Sequence, residues 1–340
     1  MGRMATAPVL TPTLEDFVPP SLRNLDDPQT ALPRIARDPV LTALIEAQLG
    51  NIPTSHNLYH GDARRRTGDI ESESVHLVLT SPPYWTLKEY RPGDGQLGFV
   101  TDYGAFIHEL EKVWKHCWKT LAPGGRLVIV VGDVCLSRRQ NDGRHTVVPL
   151  HASITESCRK LGFDNLAPIF WYKISNANYE VENGSRFLGK PYEPNGVIKN
   201  DVEYILMQRK PGAYRKPTIA ARVLSVISSA NHQKWFQQIW SDVTGASTRE
   251  HPAPYPLELA DRLVRMFSFV GDTVLDPFLG TGTTSLAAAK CGRNSVGIEV
   301  DAHYLQIAEK RLITETTQLW GAAQINIHRT SADTGRKSLR

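Results

Sequence analysis

The residues best suited to chemistry form a short run, Thr80-Ser81-Pro82-Pro83-Tyr84-Trp85, directly after the apolar segment VHLVL. Two successive prolines fix φ and remove N–H donors, which leaves rigid carbonyl groups facing outward. Acceptors of this kind suit the exocyclic amine of a nucleobase, whose nitrogen is a poor nucleophile because its lone pair is delocalised into the ring. Hydrogen bonds to both N–H groups would localise that pair. Catalysis would then consist of positioning and electrostatics, without a covalent intermediate.

We therefore expect Ser81 Oγ and the Pro82 carbonyl to hold the amine, in a turn that Pro83 keeps rigid. Tyr84 is expected to offer a flat face on which the base stacks. For the Pro-Pro-Tyr segment alone, a proline-rich turn with a core Tyr-Trp pair is the better interpretation. The choice between the two depends on the rest of the sequence.

A second candidate site lies in DPFLGTGTTSLAAAKCGRNSVGIEV, residues 276–300, which has the pattern strand, glycine-rich turn, helix, strand. Gly280 and Gly282 allow a ligand close to the backbone, and Glu299 is placed to accept both hydroxyls of a ribose. The loop is neither a dinucleotide fingerprint nor a P-loop. Asp276 suits a cationic amine, so the expected cofactor is S-adenosylmethionine, which has an ammonium, a sulfonium and a ribose but no phosphate. The expected contacts here are Asp276, Pro277, Phe278, Gly280, Thr281, Gly282, Thr283, Glu299 and Val300.

The elements around these two loops alternate between short apolar runs and amphipathic stretches. Strands are predicted at residues 75–81, 126–133, 168–173, 202–208, 273–278 and 295–300. Helices are predicted at residues 39–49, 103–121, 150–162, 256–268, 283–291 and 302–313. Several strands are apolar almost throughout, as is typical of strands covered on both faces. The alternation predicts an α/β fold with a doubly wound, mainly parallel sheet.

Taken together, the motifs resemble those of the DNA amino-methyltransferases. TSPPYW follows one strand and DPFLGTGTT with GIE follows another, and this order is that of the permuted β class. Three further segments are similar to that class: HPAPYPLELADRLV, His60-Gly61-Asp62-Ala63 and LAPGGRLVIVVGD. The resemblance covers roughly residues 55–175 and 200–315. Serine as the first residue of the SPPY motif is typical of enzymes that modify N4 of cytosine, whereas those that modify N6 of adenine usually carry Asp or Asn.

The resemblance implies an S-adenosylmethionine-dependent methyltransferase fold with an inserted target-recognition region. It places Asp62 and Ala63 at the adenine end of the cofactor. It also implies that the substrate is double-stranded DNA with a flipped base. A restriction-modification system, with a cognate restriction endonuclease acting separately, is implied by the family alone.

Charge distribution suggests where DNA would bind. The net charge of +4 permits a polyanionic partner without requiring one. Phosphate contacts are expected from the basic run between residues 209 and 222, namely Arg209, Lys210, Arg215 and Lys216. If they lie elsewhere, the alternatives are the clusters Arg64, Arg65 and Arg66 or Arg138, Arg139 and Arg144. Base edges would be read by Asn176, Asn178, Arg186 and Lys190, although these are equally compatible with ordinary loop positions.

Five segments follow from these assignments. They are an extended N-terminal arm (1–34), a catalytic part (35–174), a recognition region with a core strand (175–250), a cofactor-binding part (251–327) and a flexible tail (328–340). No apolar run is long enough to span a bilayer, and no signal pattern opens the chain, so a cytoplasmic, nucleoid-associated protein is expected. Four cysteines without CxxC spacing suggest no zinc site.

Three other functions are alternatives to methylation of cytosine N4. Methylation of adenine N6 on the same scaffold is the nearest, and Ser81 counts against it. A catalytically silent DNA-recognition subunit would have a degraded SPPY or cofactor loop, whereas both are intact. A small-molecule or RNA methyltransferase would leave the basic, aromatic-containing insert without a purpose. Cytosine C5 chemistry is excluded because no Pro-Cys pair supplies its nucleophile.

Overall fold

The computed structural model describes residues 12–86, 91, 93–139, 141–173, 200–246, 255–317 and 323–329. The strands in these ranges are β1 (Thr54–His60), β2 (Val75–Thr80), β3 (Leu121–Val131), β4 (Val134–Leu136), β5 (Thr146–Val148), β6 (Asp164–Tyr172), β7 (Val202–Arg209), β8 (Ile239–Trp240), β9 (Thr273–Asp276), β10 (Asn294–Glu299) and β11 (Ala323–His328). The α-helices are α1 (Leu14–Phe17), α2 (Pro28–Arg37), α3 (Pro39–Leu49), α4 (Tyr103–Thr120), α5 (Leu150–Lys160), α6 (Ile219–Leu224), α7 (Ser229–Trp235), α8 (Leu257–Phe267), α9 (Thr283–Lys290) and α10 (Ala302–Thr316).

Nine of these strands form one sheet in the order β11-β1-β10-β9-β2-β3-β7-β6-β8. Every pairing is parallel except those of β7, which runs antiparallel to both β3 and β6. The doubly wound, mainly parallel sheet predicted from the sequence is therefore confirmed. Strands β4 and β5 form a separate two-stranded hairpin.

The central strands are buried on both faces, which explains their nearly continuous apolar sequences. In β2, Leu77 and Leu79 pack in one hydrophobic cluster with helix α8, while Val75 and Val78 pack in another with helix α4. Strand β3 alternates in the same way. Because the sheet is covered on both faces, ligands can reach the chemistry only along its edges.

The parallel strands give the sheet a carboxyl edge and an amino edge. The carboxyl edge is where the parallel strands β1, β2, β3, β9 and β10 end, and the amino edge is where they begin. Since β7 runs in the opposite direction, with Arg126 of β3 opposite Arg209, the end of β7 lies at the amino edge. Both loops predicted to carry chemistry lie at the carboxyl edge, after β2 and β9.

The expected extended arm is wrong for residues 12–34, which fold as short helices against the body. Asp27 caps helix α2 by accepting a hydrogen bond from the backbone N–H of Gln29, and Pro28 occupies the first helical position. Val18, Leu22 and Ile35 then pack into a hydrophobic core cluster. The same Asp-Pro signal predicts α3 correctly at Asp38-Pro39.

Part of the expected recognition region also belongs to the body. Strand β7 lies within the core sheet, as predicted. Beyond it, Trp235, Trp240 and Val243 are buried, and the Trp171 indole N–H donates to the Val243 carbonyl. Residues 219–243 therefore pack against the sheet and are not a separate insert. Asn176, Asn178, Arg186 and Lys190 lie outside the described residues. Within those described, no helix combines the length and apolarity needed to cross a membrane.

Candidate active site

A cleft opens at the carboxyl edge between the ends of β1, β2, β9 and β10. Among the described residues, its walls are formed by Gly61, Asp62, Ala63, Ser81, Pro82, Pro83, Gly95, Gln96, Leu97, Pro277, Phe278, Gly280, Ile298, Glu299, Val300 and Tyr304. The loop after β2 (residues 80–85) is called the catalytic loop, and the loop that ends β9 (residues 276–284) is called the cofactor loop. They are 195 residues apart in the chain, counted from Ser81 to Asp276, yet both line one cavity. Parallel strands bring them together because their carboxyl ends share an edge.

The chemistry of this cleft fits the expected cofactor. Its described walls carry two carboxylates, Asp62 and Glu299, and neither a lysine nor an arginine. A phosphate-bearing ligand would lack a cationic partner there, whereas a ligand with a ribose, a sulfonium and an ammonium would not need one. The ring of Phe278 and the aliphatic side chains of Leu97 and Ile298 add apolar surface for a purine.

Glu299 joins the end of β10 to the glycine-rich turn. Its Oε2 accepts a hydrogen bond from the Gly280 N–H at 2.7 Å, and its Oε1 accepts one from the Asp301 N–H at 2.8 Å. An ionised carboxylate has about four acceptor positions, so two remain for ribose hydroxyls. Burial raises the pKa of Glu299 to about 7, against the lowering effect of the two backbone donors. Gly280 adopts a φ of 53°, which is the left-handed region that favours glycine.

Asp276 has a different place from the one predicted. It is 1% exposed and does not line the cleft. Its carboxylate accepts four hydrogen bonds, from Thr80 Oγ1 at 2.6 Å, Thr284 Oγ1 at 2.6 Å, the Phe278 N–H at 3.0 Å and Tyr255 Oη at 3.2 Å. With these donors its acceptor capacity is filled. Asp276 therefore ties the end of β2 to the cofactor loop, and the predicted direct contact with a cationic amine is not supported.

Three further residues of the predicted cofactor set also lie behind the cleft wall. Gly282 has a φ of 81°, and a Cβ there would lie 3.0 Å from the Cβ of Ala308, so glycine permits helix α10 to pack closely. Arg311 of that helix donates to Thr283 Oγ1 at 3.0 Å and points a second N–H at the Thr281 carbonyl at 3.4 Å. The other predicted cofactor residues of the loop, Pro277, Phe278, Gly280, Glu299 and Val300, do line the cleft.

Asp62 and Ala63 close the opposite end of the cleft, after β1. Asp62 accepts from the backbone N–H of Arg64 at 2.9 Å and pairs with its guanidinium at 2.6 Å, and Arg64 also pairs with Glu109. In the basic cluster of residues 64–66, Arg64 and Arg66 are therefore already paired with carboxylates, since Arg66 binds Asp69.

In the catalytic loop, Ser81, Pro82 and Pro83 line the cleft, and their catalytic roles stay a prediction. Ser81 Oγ and Tyr84 Oη are 3.4 Å apart, the long end of a hydrogen bond. Tyr84 is 5% exposed, and its ring lies beside Gly132, where an added Cβ would be 3.3 Å from Cε1. Trp85 has a φ of 47° and donates its indole N–H to the Val100 carbonyl. The loop is therefore held from both sides, and its tyrosine is covered.

Several residues of the site escaped the sequence-based prediction. Thr80, Tyr255 and Thr284 surround Asp276, and they lie inside the motifs TSPPYW, HPAPYPLELADRLV and DPFLGTGTT, so membership of these motifs is the signal that could have identified them. Gly95, Gln96 and Leu97 have no such signal, because they come from a segment between the catalytic loop and α4. Tyr304, in the first turn of α10, likewise has none.

The basic run predicted to bind DNA lies at the amino edge. Arg209 pairs with Asp164 at 2.6 Å, and Arg215 forms a bidentate pair with Asp272. Lys210 is 8% exposed and donates to the Leu121 carbonyl at 2.7 Å and to Glu73. Lys216 is exposed beside them. This placement contradicts the predicted phosphate contacts, because three of the four cations are already paired and all four are at the edge opposite Ser81.

The comparisons with known proteins agree with this geometry. The family model N6_N4_Mtase, described as DNA methylase, matches residues 75–310. The chain belongs to this family. The methyltransferase is 37% identical over 292 residues to Type II methyltransferase M.MjaI of Methanocaldococcus jannaschii, covering 77% of this chain and 92% of the relative.

Solved structures are similar as well. The methyltransferase is 48% identical to TTHA0409 of Thermus thermophilus, a DNA modification methylase by description, crystallised with S-adenosyl-L-methionine, with a TM-score of 0.67 and coverage of 81% and 99%. PvuII DNA methyltransferase, described as cytosine-N4-specific, shares the fold at 18% identity, with a TM-score of 0.55 and coverage of 82% and 98%. The predicted membership of the DNA amino-methyltransferases and the predicted cofactor, S-adenosylmethionine, are confirmed.

Proposed function

We propose that this DNA methyltransferase transfers a methyl group to N4 of a cytosine flipped out of duplex DNA, at a specific site. Its place would be a type II restriction-modification system with a separately acting endonuclease, as the name of its relative M.MjaI suggests. The observation that carries the proposal is the shared cleft: Ser81 and Pro82 line the same cavity as Phe278 and Gly280 of the cofactor loop.

The described residues divide the work of holding the cofactor. Glu299 has two free acceptor positions for the ribose hydroxyls, and Asp62 and Ala63 stand at the end assigned to the adenine. When bound, S-adenosylmethionine would supply an electrophilic methyl group on its sulfonium: the amine lone pair would form the N–C bond, the electron pair of the broken C–S bond would stay on sulfur, and the amine would release one proton to water. The hydrogen bond from Thr80 to Asp276 keeps the residue next to Ser81 fixed relative to the cofactor loop.

For the amine itself, Ser81 Oγ would accept one N–H and the Pro82 carbonyl the other. The Ser81 hydroxyl can also donate to the ring nitrogen next to the amine, which is N3 in cytosine. Adenine N1 has the same relation to its amine, so the choice of cytosine rests on the serine of the SPPY motif. Stacking on Tyr84 requires that its ring, now 5% exposed, become accessible when the base enters.

The product identifies the target atom directly. Plasmid DNA methylated by the purified chain would be digested to nucleosides and resolved by mass spectrometry. We expect N4-methyldeoxycytidine, and none from a chain carrying Ser81→Ala and Pro82→Ala together. N6-methyldeoxyadenosine as the sole product would overturn the cytosine assignment while leaving the fold, cofactor and site in place.

A further inference from the structure

A short hairpin stands at the carboxyl edge beside the catalytic loop. Strand β3 ends at Val131, next to the end of β2 in a parallel pairing, and the chain continues directly into β4 and β5. Val134 at the base of the hairpin is fully buried, and after β5 helix α5 begins at Leu150, which is buried too. Three residues at about 3.3 Å each place the tip roughly 10 Å beyond the base of the hairpin.

The tip of this hairpin has defined backbone geometry. The Gly143 N–H donates to the Arg138 carbonyl at 2.9 Å, and the Arg144 N–H donates to the Asn141 carbonyl at 2.8 Å. The Asn141 amide donates to Thr146 Oγ1 at 2.8 Å. These bonds present the side chains of the tip from a folded turn, so fewer conformations need to be lost on binding.

The charge at the tip is positive and exposed. Arg138, Arg139 and Arg144 are all exposed, and Asp142 is the single acidic residue from 134 to 148. Within the part of the chain that the structure describes, neither Arg139 nor Arg144 has a carboxylate within 4.0 Å, in contrast to the amino-edge residues Arg209 and Arg215. An arginine that is paired with a carboxylate must break that ion pair before it can bind a phosphate. Arg139 and Arg144 would only have to release bound water.

We propose that this hairpin, described at residues 134–139 and 141–148, contacts the phosphate backbone of the DNA next to the flipped base through Arg139 and Arg144. The major groove of B-DNA is about 12 Å wide and admits a two-stranded β-ribbon, so the hairpin has a suitable size to lie along or in it. Phosphate contacts made there would fix the duplex relative to Ser81 without reading its sequence. The inference rests on the proposed function only in taking duplex DNA as the substrate.

The test compares two double variants that remove equal charge, one from the hairpin and one from outside it. Arg139→Gln with Arg144→Gln changes the hairpin, and Arg34→Gln with Lys216→Gln changes two other exposed residues. Binding to a duplex oligonucleotide would be measured from 50 to 200 mM salt at fixed pH. Each lost phosphate contact reduces the slope of log K against log salt by about 0.9, so we expect the hairpin variant to lose about two units and the control none.

Cofactor affinity provides the folding control, because none of the four residues lines the cleft, and it should be unchanged in both variants. A wild-type slope in the hairpin variant, or an equal loss in the control, would overturn the proposal. Failure of the proposed function would look different: the wild-type chain would bind DNA with the expected slope but yield a different methylated base or none.

Discussion

Both edges of the central sheet carry a basic cluster but use it differently. At the amino edge, Arg209 and Arg215 are each bound to an aspartate, and Lys210 is buried against a carbonyl. At the carboxyl edge, the hairpin exposes Arg139 and Arg144 beside the catalytic loop. A basic cluster in a sequence does not by itself predict a DNA-binding surface, because the fold can pair its charges with carboxylates.

Strand β9 shows the same contrast within a few residues. Asp272 precedes the strand at the amino edge and binds Arg215 and the Phe269 N–H. Asp276 ends the strand at the carboxyl edge and binds hydroxyl groups from Thr80, Tyr255 and Thr284. One carboxylate neutralises a cation and supports the fold, while the other sets the position of two functional loops.

The largest effect is expected at the carboxyl edge from Ser81→Ala. In the proposed mechanism the hydroxyl acts on the amine chiefly in the transition state, so turnover should fall about 100-fold, as for removal of one preorganised hydrogen-bonding group elsewhere. Cofactor affinity, measured by calorimetry, should remain close to that of the wild type. An equal loss of cofactor affinity would show that Ser81 supports the cleft rather than the reaction.

The next largest effect is expected when a variant at one end of β9 is compared with a variant at the other end. Asp276→Asn and Asp272→Asn each leave buried donors or a cation without an acceptor, so each should lower the free energy of unfolding by about 1–3 kcal/mol in urea denaturation. Turnover should fall at least tenfold only in Asp276→Asn, because an amide has one acceptor oxygen and cannot hold both Thr80 and Thr284, which link the catalytic loop to the cofactor loop. Rates would be compared at a temperature where both variants are folded. Equal losses of turnover would remove the distinction between the two edges.

A smaller effect is expected from Glu299→Gln, which should weaken cofactor binding about tenfold, or about 1.4 kcal/mol. The pH dependence gives a sharper test. Burial raises the pKa of Glu299 from its ordinary value near 4.5 to about 7. Below that pH the protonated carboxyl would lack an acceptor for one ribose hydroxyl of the proposed contact, so wild-type affinity should rise between pH 6 and 8. Calorimetry should show less of this rise in Glu299→Gln, and parallel curves would exclude Glu299 as the titrating group.

The same shift affects stability with the opposite sign. Between pH 4.5 and 7 the folded chain holds the Glu299 proton while the unfolded chain has lost it. The contribution of this group to stability is therefore largest at low pH and decreases as pH rises through that window. Cofactor affinity and the stability of the free protein should thus respond to pH in opposite directions.

The sequence predicted the position of those site residues that lie within one local motif. Gly280, Glu299 and Ser81 lie where strand–turn–helix patterns predict them, because parallel strands bring their ends to one edge. The role of Asp276 could not be predicted, since it depends on Thr80 and Tyr255, which are brought near by the packing of β2 and α8. Long-range partners of this kind leave no periodic signal.

Polar strands and short helices escaped prediction for a related reason. Strand β1, TSHNLYH, contains few apolar residues, yet His56 is fully buried between Ser295 and Thr54 hydroxyl groups. Burial lowers the pKa of His56 to about 4, so it is neutral and acts as a core residue. Such a strand is specified by hydrogen bonds to its neighbours, which single-chain patterning does not reveal.

The smallest effect on DNA binding is expected at the amino edge, from Arg209→Gln with Arg215→Gln. These residues are bound to Asp164 and Asp272, so their removal should leave the salt dependence of DNA binding unchanged. The variant should nevertheless be less stable in urea, because Asp272 is buried and loses its bidentate partner. Binding to a duplex oligonucleotide, measured under the conditions used for the hairpin variant, provides the comparison. A slope of log K against log salt reduced by about two units would instead show that Arg209 and Arg215 contact phosphates. The duplex would then have to reach the amino edge as well as the carboxyl edge of the sheet.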